Sequence, residues 1–156
     1  MNLAELETAL LDALRAEPAL AYLRTVEPVS DRSLDFASGN FIVVPPAALS
    51  FFLASQLRSR DLAARTYDYN PRFLLFVVAR NLRGTREEKA GGPTPEEVGA
   101  YQVLHDLKSA LAGRRLALAG ASFQPVVELA GESLEAATAE FAVYSLELLL
   151  RGTFHV

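Results

Sequence analysis

The side chains best suited to proton transfer or metal binding are few here, and their spacing does not favour chemistry. His105 sits next to Asp106 in a stretch with helical periodicity. Neighbours on a helix point in different directions, so the two do not form a dyad. His155 is the penultimate residue, where chains commonly fray. No H-x-x-x-H or H-x-H spacing supplies a pair of metal ligands, and the chain has no cysteine to add a thiolate. Gly131-Glu132-Ser133 begins like a nucleophile elbow, but Glu135 stands where the second glycine belongs. The run GTREEKAGG lacks the lysine and hydroxyl residue that end a phosphate-binding loop. Asp68, Asp106, Glu128 and Glu140 have no evident partner for general acid–base work and read as solvated carboxylates. The expectation is a protein without catalytic residues, metal or cofactor.

Two other groups stand out. Arg80, Asn81, Arg83, Arg86 and Lys89, interspersed with Gly84, Gly91 and Gly92, form a cationic loop directly after the very apolar run RFLLFVVAR. A loop of this length (residues 81–93) is uncommon in a compact domain unless it has a task or is simply solvated. As a functional element it is expected to dock on an acidic neighbouring subunit. Arg65, Tyr67 and Tyr69 alternate along a polar segment, and arginine and tyrosine are favoured at interfaces. They are a candidate interface strand.

The elements that would position these groups follow from pattern. Leu3, Leu6, Leu10, Ala13 and Leu14 share one face of a helix over residues 3–16, with Asn2 and Glu5 placed for a capping box and Pro18 ending it. LAYLRTVEPV (20–29) reads as extended, and residues 30–40 as a loop. Pro45-Pro46 excludes a central strand there, and strand character resumes at residues 48–55. Residues 57–69 suit an outer strand or a hairpin arm. RFLLFVVAR (72–80) is a strand apolar on both faces. Thr94, Pro95 and Glu97 suggest the start of a second helix running to about Ala112, with Ala100, Leu104, Leu107 and Leu111 on its buried face and Gly113 as its terminator. SFQPVVEL (122–129) reads as a strand whose Pro125 favours an edge. For the last segment, composition favours a helix, while FAVYSLELLL suits a strand buried on both faces equally well.

The whole chain of 156 residues fits one domain. Hydrophobic residues make up 51% and charged residues 22%, as in a packed globular protein. A net charge of −4 argues against a protein built to grip nucleic-acid phosphates, although local basic clusters are compatible with it. The N-terminus lacks the pattern of a signal peptide, and no apolar run approaches the roughly 18 residues of a membrane span. The order of elements points to an α+β domain: an antiparallel or mixed sheet of about four to five strands, with two main helices on one face.

Taken in order, LAELETALLDALRA, YLRTVEPV, VVPPAALSFFLAS, FLLFVVARNLRG, GAYQVLHDLKSALAG and AVYSLELLLRGTF span nearly the whole chain. In this order the chain resembles the Mu-like prophage tail protein family, the tail terminator or tail-completion proteins of contractile-tailed phages. The resemblance implies that the last segment is a strand. It also implies a homo-oligomeric ring, hexameric, that caps the tail tube and sheath and meets head-completion proteins. Such a protein works in the host cytoplasm during assembly and then in the virion tail, with no membrane or sequence-specific nucleic acid as partner. A small ligand-binding or regulatory α+β domain is the alternative. It would show a concave apolar cavity with convergent polar groups.

Overall fold

The computed structural model describes residues 2–30, 43–81, 98–119 and 124–155. Helix α1 (Leu3–Arg15) forms as its periodicity predicts, burying Leu6, Leu10, Leu11 and Leu14. Its capping box closes in both directions. The Glu5 backbone N–H donates to Asn2 Oδ1 at 2.8 Å, and the Asn2 N–H donates to Glu5 Oε2 at 3.2 Å. Asn2→Ala removes an acceptor for an otherwise free helix N–H and should cost about 1 kcal/mol, read by urea denaturation. The helix ends before Pro18, which opens a 3-10 turn at Pro18–Leu20.

The sheet has five strands: β1 (Thr25–Pro28), β2 (Ala47–Asp61), β3 (Thr66–Arg80), β4 (Val126–Ala137) and β5 (Phe141–His155). Their order is β1-β2-β3-β5-β4. β1 runs parallel to β2, and every other neighbouring pair is antiparallel, so the sheet is mixed. The composition-based leaning toward a terminal helix gives way here. The last segment is β5, flanked by β3 and β4, and its residues are buried on both faces from Ala142 to Leu146. Pairing on both sides and burial on both faces stabilise a strand that intrinsic propensity alone would not select. β4 also runs further than expected, through the Ala- and Glu-rich stretch to Ala137. Pro125 stands just before it, as an edge strand allows.

Alternation sorts the side chains. Phe73, Leu75, Val77 and Ala79 of β3 and Leu146, Leu148 and Leu150 of β5 face the helices and join the leucines of α1 and of helix α2 (Ala100–Leu111) in one core. On the opposite face, Ala47, Leu49, Val78 and Val143 gather with Val43 in a second, smaller cluster. β3 is therefore apolar on both faces, as its composition predicts. Two helices on one face of a mixed sheet is the architecture expected from the sequence.

Helix α2 begins at Ala100. Thr94, Pro95 and Glu97 lie outside the described residues, and Gly99 is an extended N-cap. The physical reason is that Gly99 forms a bridge with Arg80 at the end of β3, while Val98 is buried in the core. Extended backbone there precludes helix. At the other end Gly113 has φ +71°, the left-handed conformation expected of a helix terminator. A Cβ at Gly113 would meet nothing within 4 Å, so only the backbone conformation opposes a side chain. Gly113→Ala should cost roughly 1–2 kcal/mol, measured as a shift in denaturation midpoint.

A polar tie fastens α2 to the turn after α1. The Tyr22 hydroxyl donates to Asp106 Oδ2 at 2.8 Å, and Gln102 Nε2 donates to Asp106 Oδ1 at 2.9 Å. Burial, and then the bond to Asp106, holds the Tyr22 hydroxyl well above the usual tyrosine range. In the unfolded chain that hydroxyl ionises near 10, while the folded chain keeps its proton. The stability Tyr22 contributes is thus complete below about pH 10 and falls as pH rises beyond it. Tyr22→Phe should flatten the alkaline limb of stability against pH.

Candidate assembly surfaces

The outer halves of β2 and β3 pair with each other and form a long hairpin arm, the second of the two forms expected for residues 57–69, with its β3 strand also paired to residues 152–155 of β5. Residues 54–59 of β2 pair with residues 67–72 of β3, and a turn at residues 62–65 joins the strands. Arg65 occupies the left-handed region there, with φ 51°. The arm's leucines are bare: Leu57 is 60% and Leu62 75% exposed. β1 pairs only with Ala47–Ser50. Among the described residues no strand lies against the outer edge of β2 from Phe51 to Asp61.

The other edge of the sheet is β4. Residues 113–116 close its first turn, with the Gly113 N–H donating to the Val127 carbonyl at 2.9 Å and Leu116 N–H to Pro125 at 2.9 Å. From Glu128 onward no strand flanks its outer side among the described residues. This edge is acidic, carrying Glu128, Glu132 and Glu135 and no base. Beside it, between α2 and β4, lies an open cleft of about 460 Å³ walled by Tyr101, Leu104, Leu134 and Tyr144. Tyr101 is 50% and Leu134 45% exposed, and the rings of Tyr101 and Tyr144 meet edge to face at 5.7 Å. The cleft's two charges are paired with each other, Lys108 Nζ lying 3.0 Å from Glu132 Oε2.

The residues singled out in the sequence divide between these regions. Tyr67 and Tyr69 face the helix side of the arm, opposite Ser59 and Leu57, and both are half-buried. Tyr69 also packs against the main core, and burial raises its hydroxyl pKa, partly offset by a bond with Ser55. Arg80 is exposed at the end of β3. Asn81 ties that end to the β4–β5 turn: its Nδ2 donates to the Thr138 carbonyl at 2.8 Å and its N–H to Glu140 at 2.7 Å. Arg83, Arg86 and Lys89 lie outside the described residues. The bare leucines of the arm and the acidic edge of β4 were not picked out from sequence. Leu57 and Leu62 lie in the stretch read as an outer strand or hairpin arm, and their exposure emerges only from the structure.

His105 is exposed on α2, while its neighbour Asp106 is bonded to Tyr22 and Gln102. Ser133 lies within β4 and not at a strand-to-helix turn, and its hydroxyl donates to Glu135 at 2.9 Å, as does that of Ser145 at 2.6 Å. No cluster of three histidines or carboxylates able to hold a metal occurs among the described residues.

No curated protein matches the chain. Among solved structures it is similar to a chain from a structure described as the virion of a native gene transfer agent particle. The identity is 14%, with a TM-score of 0.56, covering 94% of this chain and 92% of that one. At that identity the likeness speaks for the fold alone, which the two share over nearly their whole length. The family described as Bacteriophage Mu, Gp37 matches residues 2–154, bearing out the resemblance read from the ordered sequence segments. With that match over nearly its entire length, the chain belongs to the Bacteriophage Mu, Gp37 family.

Proposed function

We propose that the protein is a tail terminator: a ring of identical subunits, hexameric, that caps the tail tube and sheath and meets the head-completion proteins. It assembles in the host cytoplasm and remains in the virion tail, and it works by contact, without catalysis. One observation carries this reading. Large apolar side chains are exposed in two separate places, on the arm at the β2 edge and in the cleft at the β4 edge. A closed ring requires two different patches on each subunit, since its contacts are heterologous. Arg80, Arg83, Arg86 and Lys89 form a cationic run in the sequence of an acidic chain, suited to steering a subunit onto an acidic partner.

Purified protein, alone and with tail tube protein, should sediment as a closed oligomer near six chain masses. Reversing the charge at Arg83 and Arg86 should weaken that assembly while leaving the melting temperature nearly unchanged. A collapse of folding in that variant would make the two arginines structural. The cleft supports a second reading, a ligand-binding domain, because its volume falls in the range of small-molecule sites. Against it, the cleft is open and Lys108 and Glu132 neutralise each other there.

A further inference from the structure

We infer that the occupant of the β4 edge is the hairpin arm of a second copy of this chain, which extends the sheet from one subunit into the next. The inference rests on the ring reading above and names its contact. Three observations support it.

The first is strand direction. β2 runs opposite to β3, β3 opposite to β5, and β5 opposite to β4, so β2 and β4 are antiparallel within one subunit. Two copies set side by side in the same orientation therefore bring the free edge of β2 against the free edge of β4 in the antiparallel sense. Their helix layers fall on the same side. Antiparallel pairing is the more stable kind and satisfies the N–H and C=O groups that an open edge leaves bare.

The second is register. Setting Leu57 opposite Leu134 places Arg58 opposite Ser133 and Ser59 opposite Glu132. Between the register shifts of the two strands, residues 57–59 of β2 then cover residues 134–132 of β4, within the stretch left open beyond residues 113–116. Leu57 and Leu134 both point to the helix side: Leu57 pairs with Tyr69, on the same face as Phe73, and Leu134 pairs with Tyr144 of the main core. In this register the bare Leu57 seats beside Tyr101 and Leu134 in the cleft. The two open runs lie at different heights on the sheet, since Leu134 is level with Ala48 through Tyr144 and Val77. Successive subunits are thus staggered along the strands, the relation by which tilted strands close into a barrel.

The third is charge and limit. Arg58, Arg60 and Arg65 of the arm face a strand whose own charges are Glu128, Glu132 and Glu135, of which Glu128 is paired with Arg151 and Glu132 with Lys108, leaving Glu135 for the arm. Register shifts between Phe52 and Ala54 and between Ser59 and Asp61 on β2, and between Leu129 and Gly131 and between Leu134 and Ala136 on β4, interrupt regular pairing. Such bulges confine the contact to a short run and guard both edges against indiscriminate pairing.

The absence of cysteine makes the test direct. Ser59→Cys and Glu132→Cys are exposed positions, and the second breaks only a surface ion pair, so both variants should fold. Residues opposite each other in an antiparallel pair have Cα atoms roughly 4.5–5.5 Å apart, within disulfide range. Mild oxidation of the double variant should give a ladder of covalent oligomers ending at the ring number. A mixture of the two single variants should give a bridged dimer, and either single variant alone none. Light scattering on the unmodified protein separates the possible failures. A ring that forms without this bridge, and is unaffected by Leu57→Glu, overturns the inference and leaves the ring. A dimer from Ser59→Cys alone shows an arm-to-arm two-fold contact and also overturns it. A monomer with no bridge at any concentration, tail tube protein added included, removes both the contact and the ring.

Discussion

Phe73→Ala is expected to lower the free energy of unfolding by roughly 3–5 kcal/mol. Phe73 is 1% exposed on β3, which lies between β2 and β5 and carries core side chains on both faces. Its ring meets that of Phe52 edge to face at 5.7 Å, and its helix-side neighbours include Leu75 of β3 and Leu148 of β5. Truncation removes that contact and opens a cavity that helices on one side and paired strands on the other cannot easily close. Domains of this size are stable by only about 5–15 kcal/mol, so the variant should show a midpoint far below that of the parent in urea, or fail to fold. Phe51→Ala is the control. Phe51 lies on the opposite face, 44% exposed, with an edge-to-face contact to Phe76 at 6.2 Å, and should lose about 1 kcal/mol. A Phe51 loss equal to that of Phe73 would mean that the two faces are buried alike.

The second large effect is expected in assembly and not in stability. Leu57→Glu places a carboxylate on the arm where an apolar side chain meets the acidic edge of a neighbour. Seating a carboxylate beside Tyr101 and Leu134, where Lys108 is already paired with Glu132, should weaken association about thirty-fold or more, as for loss of a central anchor residue. Within one subunit Leu57 is 60% exposed and touches no core cluster, so the melting temperature should move little. Sedimentation velocity at matched concentrations reads the first effect and calorimetry the second. Unchanged association would show that the arm is not a subunit contact. A collapsed melting temperature would show that Leu57 supports its own hairpin.

What the sequence made legible follows from how locally each feature is determined. Helix α1 and its cap depend on residues within one turn of each other, and Asn2, Glu5 and Pro18 are enough to place it. Gly113 is similar, because a left-handed terminator is a local demand. β5 depends instead on partners far along the chain. Its Ala, Leu and Glu content favours helix, and only the strands on both sides and the resemblance to a known family override that. The Thr94-Pro95-Glu97 signal lies outside the described residues, and just before α2 the bridge between Arg80 and Gly99, a partner distant in sequence, holds Gly99 extended.

The candidate assembly surfaces are partly legible in the sequence. The arm could be read from the polar turn of residues 57–69, and its tyrosines were noted. That Tyr69 packs on the core while Leu57 and Leu62 are bare depends on strand register, which alternation in this mixed sequence does not fix. Likewise, the acids of β4 look like scattered surface charge until the strand order puts them at the far edge of the sheet from the arm.

The most direct measurement is the mass of the purified protein by size-exclusion chromatography with light scattering, across concentration and with tail tube protein added. A single closed species near six chain masses is expected, formed alone or on the tube. A monodisperse monomer at high concentration, unmoved by the tube protein, would contradict the proposal that this phage protein acts by closing a ring of its own copies.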